Sequence, residues 1–70
     1  MSLGKERVRA GFNPSGDSRV ESIKSLTAQL IDICEDLKAN TQFSQAPRWA
    51  SLAQTAYEEA AMWAVKAATV

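Results

Sequence analysis

Two segments carry the residues with chemistry to offer. Phe12-Asn13-Pro14-Ser15-Gly16 gathers a ring, an amide and a hydroxyl around a proline–glycine turn. Arg48-Trp49-Ala50-Ser51-Leu52-Ala53-Gln54-Thr55 opens an alanine-rich stretch with a guanidinium, an indole and hydroxyls. A guanidinium fork suits phosphate oxygens, hydroxyls and turn amides can satisfy further acceptors, and ring faces stack on flat rings. Such a set complements a small, flat, anionic ligand.

Each of these residues also has a plainer role. Arg48, near a helix start, is an anion clamp or an ordinary surface cation mildly disfavoured by the helix dipole. Lys24, next to Ile23 at the edge of an apolar stripe, reads first as part of a solvated face and second as a ligand cation. Phe12 anchors its loop or offers a stacking platform. Thr55 is a tolerated helix residue or a hydroxyl aimed at a phosphate. Trp49 and Trp63 read as interface core.

Catalytic groups are missing from the pattern. Nucleophilic catalysis needs a serine, threonine or cysteine with a base in reach, and the chain has no histidine. Asp32, Glu35, Asp36 and the pair Glu58/Glu59 fit solvated helix faces, because the Glu-x-x-His pattern of di-metal bundles is absent. No glycine-rich phosphate loop occurs. The expectation is a binding protein with no enzyme activity, no cofactor and no metal.

Length sharpens the physical problem. A chain of 70 residues buries only roughly 60% of the surface it exposes when unfolded, so small domains are usually stapled by disulfides, metals or association. Cys34 is the single cysteine and reads as a small buried hydrophobe. Association is the staple that remains. No apolar run approaches the ~20 residues that span a bilayer, and no apolar signal core opens the chain, so a soluble intracellular protein is expected. Cations and carboxylates balance, with no broad basic stripe for a DNA or RNA polymer, which requires many phosphate contacts. A few cations suffice for a ligand with two or three phosphates.

The elements that must position these residues are helices. Asn13 to Gly16 match a type I turn at all four positions, and residues 1–17 are expected to form a polar arm plus this turn, with a helical turn over Lys5–Arg9. Ser18-Arg19-Val20-Glu21 has the form of a capping box, so a helix is expected over about 19–39. Ile23, Leu26, Leu30, Ile33 and Leu37 form a heptad-type seam, with Val20, Thr27, Ile31 and Cys34 as a second stripe beside it. Asn40 suits a left-handed cap. Thr41–Ala46 is a short polar connection, Ser44 an N-cap and Pro47 a first-turn residue. A second helix follows over about 45–67, with Trp49, Ala53, Ala56, Ala60, Trp63, Ala67 and Val70 as its seam. The fold expected is therefore all-α: an antiparallel two-helix hairpin over 18–70 with an N-terminal arm, assembled into a compact homo-oligomer. Two helices alone cannot cover both stripes and both tryptophans.

The Phe-Asn-Pro-Ser-Gly segment, the Val-x-x-Ile-Lys helix opening and the Arg-Trp-Ala-x-x-Ala-x-Thr…Glu-Glu-Ala-Ala-Met-Trp-Ala-Val-Lys-Ala helix carry a resemblance. Over roughly residues 10–68 the chain resembles the helical-hairpin domain of phage sponge proteins that inhibit CBASS and Thoeris immunity. The resemblance implies a hexamer that sequesters cyclic oligonucleotide second messengers without cleaving them, in the cytoplasm of the infected bacterial host. Cyclic dinucleotides would lie between protomers and cyclic trinucleotides in separate pockets. It carries ligand-binding roles onto Phe12, Asn13, Pro14, Ser15, Lys24, Arg48 and Thr55. Relatives that capture cyclic ADP-ribose-type signals carry an additional β-rich region for which seventy residues leave no room, so CBASS-type ligands are favoured. The alternative reading is a structural or protein-interaction hairpin with no small-molecule ligand.

Overall fold

A computed structural model describes residues 2–40, 42 and 44–70. Among the described residues three helices follow one another: α1 (Leu3–Arg7), α2 (Ser18–Ala39) and α3 (Ala46–Ala68). No strand occurs among the described residues. Thr41 and Phe43, within the expected connection 41–46, lie outside the described residues.

The helix ends differ from expectation in their chemistry. α2 is capped by Asp17, not by the Ser18 box: the Asp17 carboxylate accepts from the Arg19 amide at 2.8 Å. A carboxylate is the stronger cap here because its charge also meets the positive end of the helix dipole. The Arg19 guanidinium returns to the other Asp17 oxygen at 2.9 Å, which pulls the Asp17 carboxyl below its ordinary pKa and raises that of Arg19. Asn40 is not left-handed (φ −116°); instead its side-chain amide donates to Asp36 O at 2.9 Å and closes the helix itself. At α3 the cap position is Gln45, without a side-chain bond, and Pro47 occupies the first turn. Ser44 does not cap it.

Small residues close the hairpin. Ala28, Ile31 and Cys34 of α2 are buried, as are Ala50, Gln54 and Ala61 of α3. Alanines let two backbones approach, and Gln54, fully buried, fastens them: its amide donates to Ile31 O at 3.1 Å and to Glu35 Oε1 at 3.0 Å. The Gln54 bond first, then Lys38, holds the Glu35 carboxyl below its usual range. The heptad seams therefore do not face each other within the chain. Leu26 (61% exposed), Ile33 (55%), Trp49 (61%) and Trp63 (56%) all point outward. The radius of gyration, 13.0 Å, exceeds the roughly 11 Å of a compact chain this long. The hairpin is elongated, 42 Å by 21 Å by 13 Å, and much of its leucine and tryptophan surface lies uncovered.

Residues 3–10 are not a free arm. α1 lies across α2 at Gly4, whose N–H donates to Asp32 Oδ1 at 2.7 Å. A Cβ on Gly4 would sit 2.0 Å from the Ala28 carbonyl oxygen, so only glycine permits this crossing. Val8 then joins Ala28, Ile31 and Ala61 in the core, flanked by Leu3, Ala10, Ile23 and Tyr57. Replacing Gly4 with alanine should push α1 off α2 at a cost of about 1–3 kcal/mol, the range for overpacking. Thermal melting should fall by roughly 4 °C or more; an unchanged midpoint would mean that this contact yields without loss.

Candidate functional site

The α1 docking builds one wall of a groove. α1 ends in a six-to-one closure, with the Ala10 amide donating to Lys5 O at 2.9 Å and the Arg9 amide to Glu6 O at 3.2 Å. That closure requires a left-handed residue at its second-last place, and Arg9 supplies it with φ 55°. The chain then turns into Phe12, whose amide donates to Arg9 O at 2.9 Å.

The Asn13–Gly16 turn follows as expected. The Gly16 amide donates to Asn13 O at 3.2 Å, and Gly16 takes the left-handed φ of 66° that brings the chain into the Asp17 cap. Asn13 and Ser15 brace the turn from inside. The Asn13 amide donates to Asp17 O at 3.0 Å, the Ser15 hydroxyl donates to Asn13 Oδ1 at 2.8 Å, and the Asp17 amide donates to Ser15 Oγ at 3.2 Å. Pro14 is exposed at the turn's second position.

Lys24 ties this segment to α2, and it is buried, contrary to the solvated face expected of it. Its residue is 8% exposed, and its ammonium donates to Arg9 O at 2.9 Å and to Phe12 O. Burial lowers the Lys24 pKa, and the neighbouring Arg9 charge lowers it further. An unpaired buried ammonium would be costly; two carbonyls from one loop compensate it and at the same time fix that loop. The sequence could not reveal this, because both acceptors are backbone.

The groove so formed holds about 620 Å³ between the loop and α3. Phe12, Lys24 and Thr55 line it, three of the residues singled out from the sequence. Arg7 and Arg9 line it too, and the sequence reading did not select them. The available signal was the run Lys5-Glu6-Arg7-Val8-Arg9, whose alternating cations lie just before Phe12. Arg7 pairs with Glu58 at 3.7 Å, while Arg9 lies over the Phe12 ring with its guanidinium carbon 4.2 Å from the centroid. Glu58 and Glu59 form the acidic side, and Ala61, Met62 and Val65 the apolar floor. Arg48 is not part of this groove: it is exposed on α3 two helical turns before Thr55, about 10 Å along the axis. Thr55 Oγ1 donates to Ser51 O at 3.2 Å, leaving its lone pairs available.

A cation-rimmed groove with a half-exposed ring and an apolar floor fits a ligand that combines phosphates with flat bases. A family model described as the Acb2/Tad1 hairpin domain matches residues 4–69. The chain belongs to this family, the anti-CBASS and anti-Thoeris sponges. No curated protein and no solved structure matches it.

If Lys24 fastens the loop, Lys24→Met should loosen it while keeping most of the aliphatic packing. Hydrogen bonds from a charged donor are worth about 1.5–3 kcal/mol, so melting should drop by roughly 6 °C or more. Amide exchange at Arg9–Phe12 should quicken in the same variant. A wild-type melt with unchanged exchange would show that the loop stands without the ammonium.

Proposed function

We propose that this member of the sponge family binds cyclic oligonucleotide second messengers, cyclic dinucleotides first and cyclic trinucleotides second, and holds them without cleavage. Its target would be the CBASS signal in the cytoplasm of the infected host, and sequestration would keep effectors unactivated. The observation that carries this reading is the groove in which Phe12, Lys24 and Thr55 meet beside Arg7 and Arg9. A cyclic dinucleotide brings two phosphates and two bases, which call for cations and a ring face in the same place. Family membership supports the ligand class. The lack of histidine supports retention over hydrolysis, because no side chain with a near-neutral ordinary pKa is available as a general base.

The assembly we propose is a homohexamer of hairpins. Leu26, Ile33, Leu37, Trp49, Leu52, Met62 and Trp63 are little more than half exposed along the hairpin, and completing their burial is worth about half of the roughly 1.5–3 kcal/mol that full burial of such a side chain brings. A closed ring of copies covers these faces and sets the same groove at symmetric positions. In that assembly Asn13, Pro14 and Ser15 shape the groove mouth. Arg48, outside the groove of its own chain, reaches the ligand from a neighbouring protomer. No helix among the described residues is long and apolar enough to cross a membrane.

Isothermal titration with cyclic dinucleotides and cyclic trinucleotides tests the reading, followed by chromatography of the ligand released on heat denaturation. Binding and release of intact ligand are expected. No binding, or release of linear nucleotide, would overturn it. Arg48→Ala should weaken binding by roughly one to two decades without changing the assembly mass; unchanged affinity for both ligand sizes would make Arg48 a surface cation.

A further inference from the structure

Arg9 occupies an unusual place for its residue type. Among the described residues it is the only non-glycine with a positive φ, 55°, at a helix-closing position where glycine is the ordinary occupant. Its side chain is exposed, and no carboxylate among the described residues lies within ion-pair distance of it. The other groove cations are committed: Arg7 to Glu58, Lys24 to two backbone carbonyls. Among the described residues the side-chain contact of the Arg9 guanidinium is the Phe12 ring, 4.2 Å from its centroid. Phe12 is 51% exposed, while its backbone is tied at both the amide and the carbonyl. An anchored aromatic face is thus occupied by a cation held there by a weak contact.

We infer that Arg9 is the ligand-contacting cation of this groove and that its guanidinium holds the Phe12 face until a cyclic dinucleotide arrives. A base then takes the ring face, and the guanidinium moves from the ring to the bridging phosphate of the same ligand. The exchange runs in the favourable direction, because an exposed cation–π contact is weak and a forked guanidinium–phosphate pair is charge-assisted. The phosphate would thus meet a cation that gives up only a weak ring contact and no ion pair. This inference rests on the proposed binding of cyclic oligonucleotides.

The test uses Arg9→Gly and Arg9→Gln on the full chain, titrated with cyclic di-AMP and with 3′,3′-cyclic GMP–AMP, alongside thermal melts. Glycine accepts the left-handed backbone, so R9G should melt at or above the wild type; R9Q keeps a side chain but no charge. Both should lose roughly 10- to 100-fold in affinity, the worth of a charge-assisted bond. The loss should shrink as salt is raised, since the charge would then be screened in the wild type. Wild-type affinity in both variants would overturn the role of Arg9 and leave the binding reading standing. A loss in R9G that comes with a lowered melt would also overturn it, by making Arg9 structural. Failure of the wild-type chain itself to bind either ligand, or any cyclic trinucleotide, would overturn the proposed function and Arg9 with it.

Discussion

The site depends on one buried ammonium. Lys24 reaches from α2 into the loop that follows α1 and binds the carbonyl oxygens of Arg9 and Phe12. Burying that charge is unfavourable, as its lowered pKa reflects, so the contact persists only while both carbonyls remain in place. The dependence runs both ways. With the loop docked, the charge is compensated; with the charge compensated, the Phe12 ring and the Arg9 guanidinium are held at the edge of the groove. Gly4 allows this arrangement upstream, because its missing Cβ lets α1 lie against Ala28 and deliver the loop to Lys24.

The second organising fact is a division of labour between helix faces. Within the chain, contact is made by alanines, Ile31, Cys34 and the buried Gln54, which permit a close antiparallel pair. Of the heptad seams, Leu26, Ile33, Leu37, Trp49 and Trp63 stay outside, while Ile23 packs against the core. A hairpin closed by small residues gains little area, and roughly 1.5 kcal/mol of ordering entropy per residue stands against it. Covering the outer face with further copies, as in the assembly proposed above, would supply the difference and would tie stability to the arrangement that places grooves next to one another.

Much of this was legible in the residues. The Asn-Pro-Ser-Gly turn, two long helices and the surplus of apolar surface all follow from local preferences and spacing. Around the loop, what the sequence conceals has one cause: the partners are backbone atoms. A lysine beside an apolar stripe looks solvated when its acceptors are carbonyls of another segment. Gly4 looks like an arm residue until Ala28 O is seen where its Cβ would be, and Arg9 gives no sign of a left-handed backbone. The two apolar stripes of α2 were both visible, but spacing alone does not say which one meets α3. The alanines at 28, 50 and 61 were the available clue, since close helix contact needs them. Arg48 stands at the start of α3, whereas the groove within the chain lies two turns further along that helix, opposite the loop, a separation that spacing alone does not disclose.

A single native mass spectrum, recorded with and without a mixture of cyclic di- and trinucleotides, bears on this most directly. It reports subunit number, ligand stoichiometry and the mass of whatever remains bound. The expected result is a multi-subunit particle, six chains in our reading, that gains whole cyclic nucleotides at unhydrolysed mass. A lone 7.6 kDa chain that takes up no ligand would contradict both the covered apolar face and the capture groove.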